Sequence, residues 1–437
     1  MSRTIQRYLE KRTSFERWPL QVNNTAGVRR VVVIPALAEL HTLPTTLVDL
    51  ATDNPVLAQE TLIICVINNR REGITAHEDI QENLATIALL TRLQQQIGTG
   101  TPRLGLVNAA SAGSQFGEKD GVGLARKIGL DWGLRILVEN GHPQGALISL
   151  DADTHVPATY LPAVAAHFEK TDAHAAVIPY AHALDVPNHA QAIMSYELHL
   201  RCFELGLRYM GSPYAFHTIG SAMACTGAAY AAVGGMPARQ AAEDFYFLQQ
   251  LAKCGPVSPV AGTQVHPSSR ASHRVPFGTG RSVRRALEEP GTLYQAYAPE
   301  TYRALRRWMA YVSENPGETP QLLHRAAAEA DPVLAAFLDT TGFLDVWPKL
   351  HQGVHVLPQF HRWFDALRTL KTVHYLRDQA HPQVSVFQTL AQLLLWQNVV
   401  CPVDLTSLQQ TDLDTQQRLL QWLREHMDST AQTRGIR

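Results

Sequence analysis

The chain has 437 residues, more than one hydrophobic core usually organises, so a large domain with a substantial appendage is expected. Apolar residues make up 45% of it, which excludes a disordered chain, and a net charge of −1 gives no electrostatic ground for a nucleic-acid partner. Five scattered cysteines, an odd number without a CxxC pair, fit reduced thiols in a cytoplasmic setting; the charged N-terminus lacks the apolar core of a signal peptide, and no apolar run reaches the roughly 20 residues of a membrane span.

Residues 1–27 read as an amphipathic lead-in ending in the turn-like NNTAG. VRRVVVIPAL is a β-branched run stopped by Pro35, the pattern of a buried strand. ELHTLPTTLVDLATDN has helical spacing, ETLIICVINNR is a second buried strand, and DIQENLATIALLTRLQQQI is a long amphipathic helix. RLGLVNAA is a third strand; GVGLARKIGLDWGLRILVENG is a helix entered through glycines and closed by Gly141; ALISL is a fourth strand. Strands alternating with helices imply parallel pairing with both faces of the sheet covered. Further on, AAVIPYAH reads as a strand and NHAQAIMSYELHLRCFELGLRYMG as a long helix. SAMACTGAAYAAVGG is a small-residue run whose backbone can approach a ligand closely. ARQAAEDFYFLQQLAKCG is a helix with Glu243 and Asp244 in its first turn. From about residue 281 the chain is almost all helix, each with an apolar stripe.

In open α/β sheets ligands bind at the carboxyl ends of the strands, and LISLDADT puts Asp151 and Asp153 at such an end. Two carboxylates flanking one small residue, Ala152, suit a magnesium or manganese ion that keeps waters and accepts substrate phosphates. The same spacing suits a turn in which Asp153 caps the next segment ahead of Pro157. Likewise, the Glu243–Asp244 pair suits either acid–base chemistry or a favourable charge on the helix dipole.

The ordered set VVVIPALAE, LIICVINNR, GVGLARKIGLDWG, LISLDADT and AAEDFYFLQQL, over roughly residues 29–280, resembles the family 2 glycosyltransferases of GT-A fold. The resemblance implies a mixed, mainly parallel central sheet flanked by helices over residues 28–280, an all-α domain over 281–437, and the lead-in over 1–27. It also implies metal-dependent transfer of a hexose from a nucleoside diphosphate sugar to an acceptor, usually with inversion. By it, Asp151 and Asp153 hold the metal on the donor diphosphate, and Pro35, Ala36 and Glu39 line the nucleotide side. Arg126 lies near the diphosphate, and Asp244 deprotonates the acceptor hydroxyl with Glu243 beside it influencing acceptor affinity. Some enzymes of this fold take a further metal ligand, here His266, from the segment after the next strand. Two departures are informative. Ala38 stands where the family usually has asparagine, and Asn68–Asn69 stand where a base-reading aspartate usually ends the second strand, which leaves the base open.

The loop SSRASHRVPFGTGR could close over donor phosphates through Arg270 and Arg274, or be a surface connection. His217 and Ser221 are acceptor-side candidates, and Lys127 reads as a solvated helix face. The helical C-terminal part is expected to serve acceptor binding or homodimerisation. Without the QxxRW signature of processive synthases, a small or soluble acceptor is expected. Two rivals remain. A sugar-phosphate nucleotidyltransferase would carry a glycine-rich basic loop after its first strand, where this chain has PALAELHTLP. A catalytically silent nucleotide-sugar-binding protein would bind without turnover.

Overall fold

The computed structural model describes residues 2–96, 101–184, 189–270, 278–289, 293–350 and 355–434, with side chains through residue 429. Contacts divide the chain into two units. The first comprises Met1–Val186, Thr218–Arg284 and Asp428–Arg437; the second comprises Pro187–His217 and Arg285–Met427.

In chain order the elements are α1 (Arg3–Lys11), β1 (Leu20–Val22), β2 (Arg30–Ala36), α2 (Leu43–Asp49), α3 (Pro55–Gln59), β3 (Thr61–Asn68), α4 (His77–Gln94), β4 (Arg103–Ala109), α5 (Val122–Glu139) and β5 (Ala146–Ser149). There follow α6 (Tyr160–Lys170), β6 (Ala175–Val177), α7 (Ala190–Tyr209), β7 (Met223–Thr226), α8 (Gly227–Ala232), α9 (Glu243–Cys254), β8 (Val257–Pro259) and α10 (Thr279–Glu288). The first unit is a mixed α/β structure on an eight-stranded sheet ordered β1-β4-β3-β2-β5-β7-β6-β8. β4, β3, β2 and β5 run parallel, as the alternating pattern implies, and every residue of β2 and β3 is buried. β7 runs antiparallel to both β5 and β6, so the sheet is mixed beyond β5.

Two local expectations are corrected, those for Pro35 and Lys127. Pro35 does not stop its strand: β2 continues through it to Ala36, paired with β3, because the ladder with β5 ends at Val33 and no neighbour needs the missing N–H. The small-residue run forms β7 followed by α8, both largely buried. Lys127 is not a solvated face. Its Nζ donates to Asp131 Oδ2 (2.7 Å), the Tyr8 hydroxyl (2.9 Å) and the Arg12 carbonyl (2.8 Å). Asp131 Oδ1 also accepts from Tyr8 and Tyr230, each at 2.7 Å. The lead-in is thereby fastened to α5 and α8, and β1 adds to the sheet edge antiparallel to β4.

The second unit contains α7, a two-stranded ribbon of β9 (Gln295–Ala296) and β10 (Val384–Ser385), and the helices α11 (Pro299–Glu314), α12 (Pro320–Ala330), α13 (Pro332–Thr340), α14 (Phe343–Leu350), α15 (Val356–Trp363), α16 (Ala366–Gln379), α17 (Val386–Trp396) and the start of α18 (Leu413–Arg434). Its core centres on buried Trp308, whose ring meets those of Phe343, Phe360 and Phe364 edge-on. No helix among the described residues is long and apolar enough to cross a membrane.

Candidate functional site

The carboxyl end of β2 turns sharply at Ala38, whose φ of 51° is left-handed and unusual for a residue with a Cβ. Asn83 on α4 holds this turn: its Oδ1 accepts from the Ala38 N–H (2.9 Å), and its Nδ2 donates to the Asn68 carbonyl (3.1 Å) and to Asn69 Oδ1 (2.9 Å). Next to it, Glu82 Oε1 accepts from the Leu40 N–H at 2.9 Å. Asn68 and Asn69 are buried, and their Nδ2 groups donate to main-chain carbonyls: Ala36 and Val66 for Asn68, Arg70 and Ala110 for Asn69. Sequence reasoning missed Asn83 and Glu82. A polar pair on an amphipathic helix carries no signal of its own until the strand ends beside it are known.

Past β5, Leu150 bonds back to Val33 (3.1 Å), and the chain turns through Asp151, Ala152 and Asp153, with the Thr154 N–H donating to the Asp151 carbonyl (3.2 Å). Thr46 on α2 fixes the turn through the Ala152 carbonyl (2.9 Å). Both acids are engaged by arginines. Arg270 Nη2 reaches Asp153 Oδ2 (2.6 Å) and both oxygens of Glu39 (3.0 and 2.9 Å), joining the ends of β2 and β5. Arg126, on α5, bonds Asp151 Oδ1 through Nη2, Glu243 Oε1 through Nη1, and Ser149 Oγ through Nε (3.1 Å). Burial raises the pKa of Asp151; Arg126 opposes that shift and Asp153 adds to it.

Glu243 and Asp244 open α9 as expected, but they face different surroundings. Glu243 is buried on Arg126, while Asp244 is partly accessible and bonds the Phe245 N–H at 2.7 Å. Burial and the neighbouring Glu243 charge push Asp244 up to about 7, against the pull of Arg126. The residue before the helix, Ala242, is again left-handed (φ 60°), and its side chain offers no cap. The loop preceding it packs on the start of α5, where Gly123 donates to the Arg239 carbonyl (3.1 Å) and a Cβ would lie 2.6 Å from the Pro237 and Arg239 carbonyls.

The other candidates divide. Pro35 and Ala36 are buried strand residues at the end of β2. His266 pairs through its main chain with His155, two residues past Asp153, and its Nδ1 faces the Ala181 carbonyl at 3.0 Å. Ser221 is buried in the first unit, its hydroxyl without a hydrogen-bond partner among the described residues. His217 belongs to the second unit, where Nδ1 stands 3.8 Å from Glu204. Arg274 lies outside the described residues, as does half of the loop that carries it.

The donor set suits a small hard cation: two carboxylates one residue apart are enough for an ion that retains waters and takes phosphate oxygens. Among the described residues no group of three or more histidine, cysteine or acidic side chains is clustered to hold a metal, so His266 is not gathered with Asp151 and Asp153. The pairing of Arg270 with both Asp153 and Glu39 marks this point as one where positive charge is stabilised.

No protein-family model and no curated protein matches the chain. Among solved structures, TarS 1–349 of S. aureus in complex with UDP-GlcNAc is similar at 13% identity and a TM-score of 0.39, covering 86% of this chain and 94% of that one. The mannosyltransferase PcManGT of Pyrobaculum calidifontis, in complex with GDP-Man and Mn2+, is similar at 15% identity and a TM-score of 0.37, covering 96% and 92%.

Proposed function

We propose that the chain is a glycosyltransferase that moves a sugar from a nucleoside diphosphate sugar to an acceptor hydroxyl. One observation carries this reading. One acid from each of two pairs about 90 residues apart in sequence, Asp151 and Glu243, meets on a single guanidinium, that of Arg126, at the carboxyl ends of parallel strands, where α/β folds bind ligands. A nucleoside diphosphate sugar brings the charges such a site answers.

Asp151 and Asp153 would hold a magnesium or manganese ion, which would supply positive charge to offset the negative charge on the departing diphosphate. Arg270, bonded to Asp153 and Glu39 here, is a partly exposed guanidinium that can transfer its hydrogen bonds to phosphate oxygens. Asp244 takes the proton of the acceptor hydroxyl as its oxygen bonds the anomeric carbon. The bond from that carbon to the diphosphate oxygen breaks, and its electron pair leaves with the diphosphate. A single displacement of this kind inverts the anomeric configuration. The acceptor we infer is small or soluble.

The test is calorimetric binding of a panel of nucleoside diphosphates and their sugars, each with and without manganese, for wild type and Asp153→Asn. Wild type should bind at least one member more tightly with manganese, and Asp153→Asn should lose that increment while melting as wild type does. A wild type that binds none of the panel would end the reading; an unchanged Asp153→Asn would make the acidic turn structural.

A further inference from the structure

Arg126 is 4% exposed and every nitrogen of its guanidinium is committed: Nε to Ser149, Nη2 to Asp151, Nη1 to Glu243. Main chain covers it as well. A Cβ at Gly220 would come within 2.3 Å of Nη2, so only glycine leaves room for the ring of contacts around this side chain. A guanidinium so enclosed is not placed to reach a diphosphate, the role that sequence resemblance implies for it. Its three partners are the last residue of β5, the first acid of the turn after it, and the first residue of α9.

The start of α9 has reason to need an external hold. Its cap residue, Ala242, is in the left-handed region and supplies no side-chain hydrogen bond to the first turn. A helix beginning this way lacks one of its usual fastenings, and its cap residue sits in a conformation unfavourable to a side chain with a Cβ. The Arg126–Glu243 pair joins that first turn to the strand end, and buried charge pairs fix geometry strongly because neither partner tolerates being left alone.

We propose that Arg126 is a positioning residue. By bonding Asp151 and Glu243 together it sets where the first turn of α9, and so Asp244, stands relative to the Asp151–Asp153 turn, and it touches no substrate. The proposal deepens the transfer reading and rests on it.

Arg126→Lys keeps the charge but cannot serve three partners, since an ammonium is a compact point charge without the planar fork. Glu243→Gln weakens the link at its other end by removing the charge from the acceptor, while leaving Arg126 on Asp151 and Ser149. Amide hydrogen exchange across residues 241–247 of the full chain should speed up in both variants, with β2 and β3 unchanged. In single-turnover transfer both should lose rate by about 10²-fold, the cost of a misplaced catalytic group. Manganese-dependent binding of the nucleoside diphosphate should be unaltered, and the double variant should lose no more than the worse single one. Unchanged exchange in Glu243→Gln overturns the proposal, as does weakened diphosphate binding with full turnover in Arg126→Lys, or losses that multiply in the double variant. Should Arg126→Lys not fold, Glu243→Gln decides alone. Exchange needs no turnover, so a wild type without transferase activity sinks the functional reading and still leaves this coupling open to judgement.

Discussion

Asp244 is the residue at which the proposed function and stability oppose each other. A carboxylate held near pH 7 can accept a proton efficiently at neutral pH, a contribution of about 10²–10⁴-fold. Transfer by wild type should therefore rise with pH through about 7 as the group ionises, and Asp244→Asn should abolish that rise along with most of the rate. The linkage has a fixed sign. The folded state holds its proton more tightly than the unfolded chain, whose value is the ordinary 3.8, so wild type loses stability as pH climbs from about 4 to about 7. Asp244→Asn escapes that loss; its melting point should exceed that of wild type at pH 8, with the gap closing towards pH 4. Equal melting points at pH 8 would show that the ionised group is not penalised. Ala38 carries strain of a different origin. A left-handed alanine costs about 1–2 kcal/mol, and glycine returns part of that to unfolded-chain entropy, so Ala38→Gly should stabilise by about 0.5–1 kcal/mol in urea unfolding. A net loss would locate the strain elsewhere. The left-handed conformation also gives physical meaning to the asparagine that the resembling family has here, since asparagine adopts it readily. The residue types at the strand ends were legible in the sequence; that Glu243 turns inward and Asp244 does not could be read only once Arg126 had a position.

Among the elements, α5 does two jobs with consecutive residues. Arg126 faces the acidic pairs, and Lys127 faces Asp131, Tyr8 and the lead-in. The 3.6-residue period made this helix visible in the sequence, but period alone cannot tell a solvated lysine from one covered by a segment arriving from more than 100 residues away. Removing Lys127 leaves Asp131 buried without its cation, so Lys127→Ala should cost about 3 kcal/mol, the lower end for breaking a buried pair whose cation is partly exposed. Chemical denaturation measures it, and a cost below about 1 kcal/mol, that of a surface ion pair, would mean the network is not a fastening. The parallel strands were legible for a related reason: β2 and β3 are buried throughout and read as unbroken apolar runs. β1 was not, because three residues of an edge strand give too few alternations to register, and the continuation of β2 through Pro35 depended on where a neighbouring ladder happens to end.

For the whole molecule, the two units draw on the chain discontinuously: α7 belongs to the second unit although it lies between β6 and β7 of the first. No local pattern announces such an exchange, since apolar periodicity reports that a face is covered and not by which partner. The same discontinuity governs the lead-in. Tyr8 bonds Asp131 and stands 3.4 Å from the Tyr230 hydroxyl, partners 123 and 222 residues further along. A ribosome adding about 5–20 residues per second needs roughly 10–45 s to deliver the second of them. A nine-residue helix is too short to persist alone, so through that interval Ile5 and Tyr8 have no core to enter. Until those partners arrive the two side chains stay uncovered, a small apolar face of the kind that holding chaperones bind. Slower translation prolongs its exposure, where a chain that folds from its first residues onward would gain time instead.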